Sequence, residues 1–211
     1  MAICAICFGW PILNSLQYVL QTDAQTMTQA QDAAAFSDAS FIGLIVMELI
    51  TAGVALLVLH HRKFAVERLY PAPTVRGFAI AILLYLGAAY ASQFVLTIFH
   101  SGSADEPVQR SLAAAVVSPP VLAAVGVVNG MYEEVFLLGY LQRGLRDYGA
   151  SLALGLPLLI RALYHLYQGP SGVVSVLIFG LVLAIFYRRT ESLFPVVFAH
   201  VLADILPFVS R

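Results

Sequence analysis

The chain has 211 residues, 60% hydrophobic and only 11% charged, where soluble domains carry about 45–50% apolar and about 25% charged residues. With a mean hydropathy of +0.86, this composition excludes a water-soluble globular domain and points to an all-α, polytopic membrane bundle. The formal net charge of -1 leaves no basic footprint, so nucleic acid is excluded as a partner and the lipid bilayer is expected as one.

Seven apolar runs predict about seven transmembrane helices, over Ile3–Leu20, Phe41–Leu59, Gly77–Phe99, Val121–Leu141, Leu152–Leu166, Val173–Tyr187 and Leu193–Val209. The first has no basic n-region and no A-x-A site after it, so it reads as a membrane helix rather than a signal peptide. Its Cys4 and Cys7 lack a second cysteine pair or a nearby His, and read as packing residues. The polar connection Gln21–Ser40 reads as an outer loop or a short amphipathic helix. Residues 1–110 form the N-terminal set of helices and 111–211 a second set within one integral membrane domain. Between them, Pro119-Pro120 predicts a short re-entrant or interfacial helix that ends there before the fourth span.

Basic residues concentrate after the second, fourth and sixth helices, at Arg62, Lys63, Arg68, Arg76, Arg143, Arg146, Arg188 and Arg189. The other connections carry Arg110 with Asp23, Asp32, Asp38, Asp105 and Glu106. Since cytoplasmic loops retain positive charge, the N-terminus is expected in the cytoplasm and the C-terminus outside. His60 and His61, in the first basic connection, read as lipid headgroup contacts. His100, at a helix end without partners, is given no role.

A charge at the bilayer centre costs at least about 2.5–3.5 kcal/mol, so each ionisable group within a span is a functional candidate. Glu48 lies in the second span, Glu133 and Glu134 in the fourth, Arg161 and His165 in the fifth, and His200 and Asp204 in the seventh. Arg161 with His165, and His200 with Asp204, are spaced i,i+4 and share a helical face. Glu133 and Glu134 point about 100° apart, so one faces a shared cavity while the other pairs elsewhere, with Arg161 as its natural partner. Counting about 1.5 Å per residue puts Glu133, His200 and Asp204 at similar depth and His165 deeper. Glu48 is assigned no chemical role, and Tyr164, Tyr167 and Gln168 read as an interfacial aromatic belt.

Three segments resemble the motifs of one family. Asn129-Gly130-Met131-Tyr132-Glu133-Glu134-Val135-Phe136-Leu137-Leu138-Gly139-Tyr140-Leu141, Arg161-Ala162-Leu163-Tyr164-His165-Leu166-Tyr167-Gln168-Gly169 and Pro195-Val196-Val197-Phe198-Ala199-His200-Val201-Leu202-Ala203-Asp204 are similar, in order, to those of the CAAX protease and bacteriocin-processing (CPBP, or Abi) family. The resemblance implies a multi-pass protease, in a bacterial cytoplasmic membrane, whose catalytic core is 111–211. Its eukaryotic and archaeal relatives cleave prenylated CAAX proteins. By the same resemblance, Glu133 with His165 activates a water, His200 with Asp204 stabilises the oxyanion, and Glu134 is a supporting residue. A membrane-associated protein or peptide is the implied substrate.

Two positions depart from the family pattern. Leu138 stands where Arg is usual, and Arg161 is the cation that can serve Glu134 instead. Asp204 stands where Asn is common, and an ionised Asp only accepts hydrogen bonds. Asp204 therefore either carries a proton or orients His200 through one ring nitrogen. A metal-free, glutamate-dependent hydrolysis is favoured, because the helical H-E-x-x-H spacing is absent. A divalent metal such as zinc on Glu133, His165 and His200 is the alternative. Two other functions stay open: a proton- or ion-coupled transporter, and a non-catalytic immunity or scaffolding protein.

Overall fold

The structure is a computed structural model that describes residues 2–21, 36–98 and 107–209. Most of the Gln21–Ser40 connection with Asp23 and Asp32, together with His100, Asp105 and Glu106, lies outside the described residues. Among the described residues eight α-helices follow in order: α1 (Ala2–Gln21), α2 (Asp38–His61), α3 (Val75–Ile98), α4 (Pro107–Ala114), α5 (Pro119–Glu134), α6 (Ala150–Tyr164), α7 (Gly169–Thr190) and α8 (Leu193–Val209). There is no strand among the described residues, and the chain is a helical membrane bundle.

Five helices are long and apolar enough to cross a membrane, Ala2–Leu20, Asp38–His61, Val75–Ile98, Pro119–Gln142 and Leu166–Thr190, against the seven spans expected. The other two, Ala150–Tyr164 and Leu193–Val209, are apolar but shorter. At about 1.5 Å per residue they reach roughly 22–26 Å, less than the ~30 Å hydrocarbon thickness. These short helices carry Arg161, His200 and Asp204, while Glu48, Glu133 and Glu134 lie in two of the long ones.

Pro119 and Pro170 act as starters rather than stops. The short helix expected before the fourth span is α4, but it stops at Ala114, and Pro119 opens α5 directly after Ser118. A proline in the first helical turn gives up an N–H that has no intrahelical acceptor there. The Ser118 amide donates to Asp38 Oδ1 at 2.7 Å, tying the start of α5 to the start of α2. Pro170 in the first turn likewise lets α7 begin at Gly169, four residues ahead of the expected Val173.

The helix α5 is central, with its most extensive packing against α8 and further contacts with α2, while α3 packs on α7 and α8, and α1 on α6. Side chains such as Trp10, Leu57, Leu83 and Phe94 point outward and stay exposed, as lipid-facing residues do. Cys4 and Cys7 are free and buried among the core apolar residues, as packing residues are. One close approach sets the geometry of the centre: a Cβ at Gly130 would lie 3.1 Å from the Val201 amide nitrogen and 3.3 Å from the Val197 carbonyl oxygen. Only glycine lets the α5 backbone come this near to α8, one turn ahead of Glu133 and beside His200.

Candidate active site

The α5–α8 contact brings Glu133, Glu134, His200 and Asp204 together, and α6 adds Arg161, Tyr164 and His165. Glu134, fully buried at 0% exposure, faces away from the open space. Its Oε1 accepts from Arg161 Nη2 at 2.6 Å and from His200 Nδ1 at 2.6 Å. Room for the guanidinium comes from Gly180 on α7, where a Cβ would approach Arg161 Cδ to 2.9 Å. Past Glu134 the helix continues as a π-helix, Val135–Gln142, in which Leu138 is a buried core residue.

With Nδ1 committed to Glu134, His200 turns Nε2 toward two further carboxylates, 3.8 Å from Glu133 Oε2 and 3.6 Å from Asp204 Oδ1. Gaps of this size are ones a single water oxygen can bridge. Phe179 meets the imidazole edge-on with ring centroids 5.6 Å apart, which limits its tilt. Asp204 is held by Asn129, whose Nδ2 donates to Oδ2 at 2.8 Å. Glu134 occupies Nδ1 of His200, and Asp204 stands on the Nε2 side.

Glu133 accepts a short hydrogen bond from the Tyr164 hydroxyl. The Tyr164 ring is buried and stacks on Phe8 of α1 with centroids 5.3 Å apart, so the aromatic-belt reading of Tyr164 is corrected. Tyr167 and Gln168 are also inside the bundle: the Tyr167 amide donates to Ser15 Oγ at 3.0 Å, and both side chains line the cavity. Because α6 ends at Tyr164, His165 caps it, with Nδ1 3.0 Å from the Arg161 carbonyl oxygen. Since that oxygen can only accept, Nδ1 carries the proton, and Nε2 of a neutral ring holds the lone pair.

The polar side chains named above except Glu134 line one cavity of about 870 Å³, otherwise walled mainly by apolar side chains from α1 to α5, α7 and α8. Two residues with no role from the sequence are part of it. Asn129 lies one turn before Glu133, and that i,i+4 spacing of polar residues in an apolar helix was the available signal. Glu48, read as having no chemical role, is 2% exposed and lines the same space.

Glu133, Glu134 and His200 offer donor atoms within 4.8 Å of one another, a spacing that a metal ion can use. The donor chemistry narrows this set. Glu134 Oε1 is already shared by Arg161 and His200 Nδ1, whereas Glu133 Oε2 and Asp204 Oδ1 each approach His200 Nε2 in the cavity. Glu133 and His200 are the members of the cluster left with a donor atom facing the cavity, where they can polarise a water.

Residues 114–206 match the family described as Type II CAAX prenyl endopeptidase Rce1-like. The match takes in Glu133, Glu134, Arg161, His165, His200 and Asp204, and leaves out α1 to α3. No curated protein and no solved structure matches the chain.

Proposed function

We propose, on the premise that residues 114–206 belong to the Rce1-like type II CAAX prenyl endopeptidases, that this chain is an intramembrane endopeptidase working by glutamate-activated water. The observation that carries this reading is the convergence of Glu133 Oε2 and Asp204 Oδ1 on His200 Nε2, at 3.8 and 3.6 Å, inside the cavity. A general base within reach of a water, beside a group able to meet an oxyanion, is the minimum that amide hydrolysis requires.

In this reading Glu133 takes a proton from the water as its oxygen bonds to the scissile carbonyl carbon. The Tyr164 hydroxyl fixes the Glu133 carboxylate, and His165 Nε2 is a second acceptor on the same cavity wall. The carbonyl oxygen gains the negative charge and is met by an Nε2–H of His200 and by the Asp204 carboxyl in its protonated form, while Glu133 and Glu134 flank the ring and balance its cationic form. Collapse of the tetrahedral intermediate breaks the C–N bond, and Glu133 returns its proton to the leaving amine. Glu134, outside the cavity lining, and Arg161, bound to it, hold the His200 ring at one orientation. A divalent cation, if bound, would be held by Glu133 and His200, with His165 as the third expected ligand, and would supply Lewis-acid polarisation of the carbonyl; the metal-free route is the one favoured.

The substrate is a membrane-associated protein or peptide, and the protein acts in a bacterial cytoplasmic membrane with its N-terminus in the cytoplasm. Purified protein and its Glu133→Ala variant, assayed in detergent on a membrane-peptide library with and without a chelator, test the reading. Cleavage lost on substitution and indifferent to chelator is the expected result. Loss of cleavage on chelation transfers Glu133 and His200 to a metal, and normal cleavage by Glu133→Ala removes the assignment.

A further inference from the structure

The proposed chemistry leaves one polar group of the cavity unused. Glu48 sits in α2, 2% exposed, and its Oε2 is buried with no hydrogen-bond partner among the described residues. The other cavity carboxylates are provided for, Glu133 by Tyr164 and Asp204 by Asn129. Arg161, the guanidinium on this wall, is bound to Glu134. A buried carboxylate with an unmet oxygen is costly until a donor arrives, and a cationic donor compensates it most. Around it, Leu44, Met47 and Val125 line the cavity, a wall suited to the aliphatic stem of a long basic side chain.

We propose that Glu48 is a substrate-recognition residue whose carboxylate receives the ammonium or guanidinium group of a lysine or arginine side chain in the bound peptide. This rests on the reading that the cavity admits a peptide. It adds a charge requirement, supplied by a helix outside the matched segment, to a reaction run from α5, α6 and α8. The burial of Glu48 keeps bulk solvent from the pair, which strengthens it relative to a surface contact.

The test uses the full-length Glu133→Gln protein in detergent, which binds peptides without turning them over. It is mixed with a library in which every membrane peptide is present in lysine, arginine, norleucine and citrulline versions, and the bound fraction is read by mass spectrometry. Basic versions are expected to be enriched about tenfold over their neutral counterparts. Adding Glu48→Gln should erase that ratio. In Glu48→Asp, which keeps the charge but withdraws it by one methylene, the ratio should fall to an intermediate value. Equal recovery of lysine and norleucine versions, or enrichment unchanged in either Glu48 variant, overturns the proposal. If Glu48→Gln does not fold, the Glu48→Asp ratio decides on its own. Cleavage by the unsubstituted protein is read in parallel. Glu48-dependent enrichment without cleavage upholds the recognition site and removes the endopeptidase reading, while cleavage without enrichment does the reverse.

Discussion

His200 Nδ1 donates to Glu134 Oε1 at 2.6 Å, and the same oxygen accepts from Arg161 Nη2 at 2.6 Å. One carboxylate oxygen therefore links α5, α6 and α8 and aims the other imidazole nitrogen into the cavity. Two functions, joining helices and orienting a ring, rest on one buried atom.

Removing one partner of a buried pair leaves the other charge uncompensated, so Arg161→Met should destabilise the protein by about 3–5 kcal/mol. Glu134→Leu combined with Arg161→Met should cost less than the two single substitutions added together, because no lone charge remains. Thermal unfolding in detergent, across the full double-mutant cycle, measures the coupling. Simple additivity would contradict the pairing.

Tyr164→Phe removes the hydroxyl that donates to Glu133 while keeping the stack on Phe8. Turnover should drop by about 10- to 100-fold, the lower part of the range for groups that assist proton transfer, with an unchanged melting temperature. An equal loss of stability and activity would mean that the tyrosine only packs.

At position 204 an amide can do what the mechanism asks. Its oxygen still accepts from Asn129, and its –NH2 can donate toward the oxyanion. Asp204→Asn should keep activity within about tenfold, whereas Asp204→Ala should lose about 100-fold or more, by analogy with other oxyanion donors. Complete loss in Asp204→Asn would assign the negative charge itself to the reaction.

Gly130→Ala places a methyl against the backbone of α8, where neither the Val201 amide nor the Val197 carbonyl can rotate away. Overpacking of this kind costs about 1–3 kcal/mol. The larger effect should be on turnover, because separating α5 from α8 widens the 3.8 Å gap between Glu133 and His200. A variant that melts early but cleaves at the normal rate would refute the link between this contact and the site.

Much of this was legible in the residues themselves. Ionisable groups in apolar helices stand out because lipid offers them no solvation, and the i,i+4 spacings of Arg161 with His165 and His200 with Asp204 put each pair on one helical face. The membrane class, the helical bundle, the three motif-bearing helices and the natural partner of Glu134 followed from such local facts. Helix rotation and interhelical distance did not, because they are settled by contacts between segments far apart in the chain. That is why Tyr164 looked like an interfacial aromatic until it was found against Glu133, and why the prolines at 119 and 170 proved to open helices.

Composition and spacing by themselves determined which groups must hide from lipid, since that depends on solvation alone. Only the tertiary structure decided which of them meet: the Gly130 approach joins Glu134 to His200, Asn129 takes up Asp204, and Glu48 turns from α2 into the same cavity. Those pairings depend on how closely two backbones can pack, a property of the helices together that no single stretch of sequence carries.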